Sequence, residues 1–152
     1  MISNTIVYVT PVSFPDGGAA AKRILGNALA LKSIGYDVVI LSGQVPLNTD
    51  DVFDYCGVSV VPIGERRFGK YPNLIRKYLD LFLNGSRSIT WLNNKKKIRA
   101  IVLYGGYTPY LIRLLSWQKR SGKKIIFDSV EWYLPPRKLD WLYNASYWNY
   151  EF

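Results

Sequence analysis

Short apolar runs alternate along this chain with stretches whose apolar residues recur at helical spacing. The short runs are rich in β-branched residues and predict strands at 5–10, 37–42, 58–63, 100–104 and 124–128. The amphipathic stretches predict helices at 19–34, 73–84, 108–121 and 138–150. In the first of these, Leu25, Ala28, Leu29, Lys32 and Ile34 make the mixed face of a helix lying on a sheet. The third carries Pro109 in its first turn, where a missing N–H is harmless, and ends before Gly122. Pro46, Asn48 and Asp50 predict a loop over 44–57, and Gly64, Gly69 and Pro72 another over 64–72. Strands apolar almost throughout, alternating with helices, predict a parallel sheet covered on both faces. Right-handed crossovers then give an α/β fold, a single Rossmann-like domain with a doubly wound parallel sheet.

Composition narrows what such a domain can do. The 152 residues are 49% hydrophobic, enough for one buried core and too apolar for a disordered chain. The opening residues carry no basic segment followed by a long apolar run, so they do not read as a secretory signal. The most apolar later window, Ile101 to Trp117, is broken by Gly105, Gly106, Pro109 and Arg113 and does not read as a membrane span. Cys56 is the only cysteine, which excludes an intrachain disulfide and suits a reducing cytoplasm. The chain has no histidine. That excludes Ser-His-Asp and Cys-His catalysis and histidine-ligated zinc, and leaves proton transfer to carboxylates, tyrosines, lysines or the substrate. A net charge of +9 points to an anionic partner: nucleic acid, an acidic membrane face or a phosphorylated ligand.

Candidate chemistry gathers where strands are predicted to end. Gly17-Gly18 open the first helix, whose unpaired N–H groups and positive dipole end suit a polar or anionic ligand; a simple turn is the plainer reading. The spacing is not the Gly-x-Gly-x-x-Gly of a dinucleotide site. Lys22 and Arg23 follow in the first turns, and the planar fork of Arg23 could meet a phosphate or simply face solvent. Tyr104-Gly105-Gly106-Tyr107 ends the fourth predicted strand, as a close backbone approach or a plain turn. Asp128-Ser129-Val130-Glu131-Trp132-Tyr133 ends the fifth, where a carboxylate beside tryptophan could hold sugar hydroxyls or Asp128 could cap a helix. Arg66, Arg67 and Lys70 precede an apolar-rich stretch that either rests on an anionic membrane or covers the sheet. Aromatics interleaved with cations on a recognisable nucleic-acid module are missing, which speaks against nucleic acid. Eight aromatic residues from Trp132 to Phe152 form a surface that expects a partner.

Gly17-Gly18, Leu29-Ala30, Gly35-Tyr36 and Val38, together with Asp128-Ser129-Val130-Glu131-Trp132-Tyr133, resemble the N-terminal half of a GT-B-fold glycosyltransferase of the retaining family four. The resemblance spans essentially the whole chain. It implies that residues 1–152 form the acceptor-side domain, stopping before its last strand and before the donor-binding domain. It also implies transfer from a nucleotide-sugar to a polysaccharide or glycolipid acceptor, with the chain inactive alone and no metal or cofactor of its own. Gly17 and Gly18 would then lie against the donor diphosphate, with Arg23 near its charge and Tyr104 and Gly105 beside the substrate. Glu131 falls where many relatives carry histidine and becomes the expected acceptor contact and catalytic residue, with Asp128 positioning the turn. The expected location is the cytoplasm, peripheral to the inner face of the plasma membrane. An alternative of another class is a non-catalytic assembly module that pairs through residues 132–152.

Overall fold

The computed structural model describes residues 4–45, 52–65, 83–95, 97–105 and 108–129. Their elements run β1 (Thr5–Thr10), α1 (Gly18–Ser33), β2 (Asp37–Ser42), β3 (Phe53–Tyr55), β4 (Val58–Pro62), α2 (Ser86–Asn93), β5 (Ile98–Tyr104), α3 (Thr108–Ser121) and β6 (Lys124–Asp128). The six strands form one sheet in the order β3-β4-β2-β1-β5-β6. All neighbours are parallel except β3 and β4. From β1 the chain builds outward through β2 and β4, then returns to the other side of β1 and continues through β5 and β6. That reversal between β1 and β5 is the switch point of a doubly wound sheet.

The period-2 geometry of strands divides the sheet's side chains between two cores. Ile6 and Tyr8 of β1, Val38 and Ile40 of β2, and Val102 and Tyr104 of β5 pack with Ala21, Ile24 and Ala28 of α1. Val7 and Val9, with Ile101 and Leu103, pack on the opposite face with Leu92 of α2 and Tyr110, Leu114 and Trp117 of α3. Both faces of the central strands are therefore covered, which is why these strands read as unbroken apolar runs. The apolar face of α1 is narrower than its sequence suggests: Leu29 and Ile34 are exposed, while the small Ala21 and Ala28 are buried.

Two elements depart from the sequence reading. Phe53–Tyr55, inside the expected loop 44–57, is an antiparallel edge strand. Its two-residue turn uses left-handed backbone at Cys56 (φ 53°) and Gly57 (φ 77°), the combination that suits a tight hairpin. Asp54 Oδ1 accepts the Gly57 N–H at 2.8 Å, and Lys32 donates to the Gly57 carbonyl. The other departure is α2, expected as no element at all. Its first turn is satisfied by Glu65, just past β4: the carboxylate accepts the Gly85 N–H at 2.9 Å and the Ser88 N–H at 2.6 Å. The expected helices 73–84 (apart from its last two residues) and 138–150 lie outside the described residues.

The loop between β1 and α1 is fastened tightly to β2. Ser42 Oγ accepts the Phe14 N–H at 3.0 Å and the Gln44 N–H at 3.2 Å, and Thr10 Oγ1 accepts the Val12 N–H at 3.0 Å. Phe14 is buried and meets Tyr55 edge to face, with ring centroids 5.5 Å apart. A Cβ at Gly43 would sit 2.1 Å from the Pro11 carbonyl oxygen. At Gly18 the backbone is left-handed (φ 63°), yet a Cβ would meet nothing within 4 Å. Gly43→Ala therefore should cost about 2 kcal/mol or more through backbone clash. Gly18→Ala should cost about 1 kcal/mol from its conformation alone. Chemical denaturation of the two variants checks this ordering. Glu65→Ala, which strands two helix amides in a site the carboxylate keeps buried, should cost roughly 2–4 kcal/mol in the same assay. Glu65→Gln should recover part of that.

Candidate functional site

Parallel strands end at a common edge, so the segments leaving β1, β2, β4, β5 and β6 share one rim of the sheet. Thr10 pairs with Ser42, and Tyr104 with Asp128, at this rim. Gly17 and Gly18 lead from it into α1, while Gly105 leaves β5 with a left-handed φ of 58° and open space where a Cβ would lie. The α1 N-terminus has no side-chain cap and no acidic residue in its first turn. Its first N–H groups and dipole are thus left for another partner. The two glycines differ in kind. Gly17 is required by packing, because a Cβ would lie 2.2 Å from the Ser13 carbonyl oxygen; Gly18 is required by its backbone conformation and faces open space.

Asp128 is the junction of this rim. It shares a face of β6 with Lys124 and Ile126, the face on which α1 packs, because its partner Tyr104 belongs to the α1-side core. From α1, Arg23 Nη2 donates to its Oδ1 at 2.6 Å, and Asn27 Nδ2 donates to its Oδ2 at 3.1 Å. From β1, the Tyr8 hydroxyl donates to the same Oδ2 at 2.7 Å and accepts from Asn27 Nδ2 at 3.0 Å. Arg23 and Asn27 stand one helical turn apart and so reach the same carboxylate. The Asp128 side chain is 10% exposed and that of Arg23 46%. Burial alone would raise the Asp128 carboxyl, but the hydrogen bonds from Arg23, Tyr8 and Asn27 and the Arg23 charge outweigh it and hold the group below its ordinary range. Burial drives the Tyr8 hydroxyl far above its ordinary value, with Asp128 adding to the effect against Asn27, so it stays a donor.

A second polar cluster lies where β4 exits. Beyond the two amides held by Glu65, Ser88 Oγ and the Tyr110 hydroxyl lie 2.6 Å apart in the core, and Arg87 Nη1 donates to the Ile63 and Gly64 carbonyls. Every partner in this cluster is satisfied internally, which marks it as a fastening between β4, α2 and α3. Gln44, just past β2, differs: its Oε1 is buried with no hydrogen-bond partner among the described residues.

Of the residues singled out from sequence, Gly17, Gly18, Arg23, Tyr104, Gly105 and Asp128 are brought to this rim or to the α1 flank beside it. Glu131, Gly106 and Tyr107, the cations Arg66, Arg67 and Lys70, and the aromatic stretch 132–152 lie outside the described residues. The sequence reading passed over Tyr8, Asn27, Gln44 and Glu65. Among the described residues no group of three or more acidic, cysteine or histidine side chains could hold a metal ion. None of their helices is long and apolar enough to cross a membrane. Comparison with protein-family models, with curated proteins and with solved structures finds no match.

The depressed Asp128 carboxyl has a signed consequence. The ionised form is favoured more in the folded chain than in the unfolded one, where the carboxyl titrates near about 3.9. Its contribution is therefore complete above that pH and is lost as pH falls through the lower folded value. Asp128→Asn should lose roughly 1 kcal/mol at neutral pH. Urea melts from pH 7 downward should show the two proteins converging only below about pH 4.

Proposed function

We propose that this chain is the acceptor-side domain of a GT-B-type glycosyltransferase acting at the cytoplasmic face of a membrane. The observation that carries the reading is convergence: an uncapped helix N-terminus at Gly18 and the acidic exit of β6 at Asp128 lie on one rim of a doubly wound sheet. Such rims are where open α/β sheets take ligands. Gly18 lets a diphosphate oxygen approach the first amides of α1 without meeting a side chain. A guanidinium carries five donors. Arg23, half-exposed and bonded to Asp128 through Nη2, keeps capacity to meet the same anion.

On the acceptor side, Asp128 acts as a positioning residue. Three donors lock its carboxylate, so it fixes where the following segment leaves the sheet. Glu131, three residues on, is the group assigned to an acceptor hydroxyl, as a hydrogen-bond acceptor that orients it for attack on the sugar donor. The donor nucleotide-sugar requires a second domain facing this rim. The net charge of +9 is consistent with an acidic membrane carrying a lipid-linked acceptor.

The test is titration of the chain with a disaccharide and with a short-chain prenyl diphosphate saccharide, followed by calorimetry or NMR. Binding should weaken roughly tenfold in Glu131→Gln, the loss expected for one charge-assisted hydrogen bond. Unchanged affinity removes Glu131 from the site, and the absence of any saccharide binding removes the acceptor-domain reading. The chain alone should not turn over a nucleotide-sugar; turnover would contradict the division of labour between two domains.

A further inference from the structure

We infer that the end of the sheet opposite the exit rim is the face this chain lays on an anionic lipid bilayer. The parallel strands begin at this end and each described helix finishes there, so its surface is built from the turns that lead into β2, β5 and β6. Cations collect on it. Lys32, Lys119 and Arg120, in the last turns of α1 and α3, offset the negative ends of those helix dipoles. Five more are surplus to that duty: Lys95 and Lys97 before β5, Arg99 within its first turn of ladder, and Lys123 and Lys124 where β6 begins. Among the described residues none of the five is ion-paired with a carboxylate. The described acids at this end, Asp37 and Asp54, lie on the β2–β3 side, and Asp54 is engaged by the Gly57 amide. The exit rim is the reverse: Arg23 is bound to Asp128, and Arg87 and Arg113 are bound to carbonyls. The described residues on either side of 46–51, 66–82 and 106–107 stand towards that rim, not at this end.

Charge alone suits any polyanion; the occupant follows from what stands among the cations. Ile34, on the turn into β2, is 71% exposed, more than any other large hydrophobic side chain described. Two residues on, the Tyr36 ring lies under Arg99, 5.4 Å from its centroid. A bulge brings this about: consecutive Thr5 and Ile6 of β1 face Ile98 and Ala100, so Arg99 falls outside the ladder and is re-aimed. On the other side of the sheet Lys95 lies 5.3 Å over Trp91, in the last turn of α2. Tyrosine and tryptophan beside cations suit the headgroup level, and an isoleucine among them suits the boundary with the acyl chains. Nucleic acid would stack its bases on open rings, whereas these two are already faced by cations, and it gives Ile34 nothing to enter. One consequence rests on the acceptor-domain reading. The seven residues of β5, at about 3.3 Å each, set the exit rim roughly 20 Å from the bilayer. A lipid-linked acceptor then meets the rim through an extended saccharide rather than through its first sugar.

Co-sedimentation of the full chain with saccharide-free vesicles of equal parts phosphatidylcholine and phosphatidylglycerol tests the face separately from the acceptor site. The chain should sediment with these vesicles and stay in solution with phosphatidylcholine alone. Lys97→Gln should weaken binding about fivefold, the worth of one cation near an anionic surface. Lys22→Gln makes the same change of charge near the exit rim, beyond a Debye length of about 10 Å, and should weaken it by less than about twofold. Ile34→Ser, with charge unchanged, should weaken it roughly tenfold while keeping the far-ultraviolet dichroism of the parent. Absence of binding to the mixed vesicles overturns the proposal, as do equal losses in Lys97→Gln and Lys22→Gln. Undiminished binding by Ile34→Ser overturns it too, and a single-stranded oligonucleotide bound more tightly than the vesicles gives the face to nucleic acid. Binding lost only in Arg66→Gln/Arg67→Gln would assign the membrane to the stretch after β4 and overturn it equally. Each of these results leaves saccharide binding and Glu131 to their own titration.

Discussion

A parallel sheet forces every connection to travel back the full length of a strand before the next can begin. This single constraint organises the molecule. It sends the exits of β1, β2, β4, β5 and β6 to one rim, and it puts the helices that make those returns on the two faces. The cost of building such a sheet is long-range closure, offset here by two apolar layers that include Val7, Val9, Ile24, Ile40, Ile101 and Leu103, each completely buried. With the rim in place, two elements distant in sequence from β6, β1 and α1, can place three side chains on one carboxylate. Tyr8, Arg23 and Asn27 reach Asp128 across 120, 105 and 101 residues respectively.

Two carboxylates serve this architecture in different ways. Glu65 is buried and spends both oxygens on the amides that open α2, so it fastens β4 to the helical layer. Asp128 is bound by side chains alone, one of which is a half-exposed arginine, and it stands at the edge of the sheet. The first arrangement leaves nothing to offer a ligand. The second holds a charge at a rim where a helix N-terminus is also uncapped, and that combination, rather than either part, supports a role in binding.

Much of the fold was legible in the sequence because buried parallel strands leave long apolar signatures: β1, β2 and β6 fall where the pattern puts them, and α1 and α3 within a residue of it. The short pieces were hidden for physical reasons. β3 is three residues with one partner strand and little burial, so its signal is the Cys56-Gly57 turn rather than its own pattern. α2 is polar on average and buries only Ser88 and Leu92; its stability comes from Glu65, which from the sequence is one charge beside Arg66 and Arg67. The rim itself was legible from Gly17-Gly18 and Asp128. Tyr8 was not, since a tyrosine inside a strand reads as core, and Asn27 was not, since an asparagine mid-helix reads as solvated. Their partnership with Asp128 exists only after the sheet has closed.

In the proposed function the opening of α1 and the exit of β6 act as one anion-accepting rim. Amide-resolved NMR of the isotopically labelled chain, titrated with pyrophosphate, tests this most directly. Saturable shifts are expected at Gly18, Ala19 and Ala20, with smaller ones at Gly105 and at the Arg23 side chain, and little change around Cys56 at the far edge of the sheet. Shifts spread evenly over exposed lysines, with the α1 N-terminus silent, would contradict it.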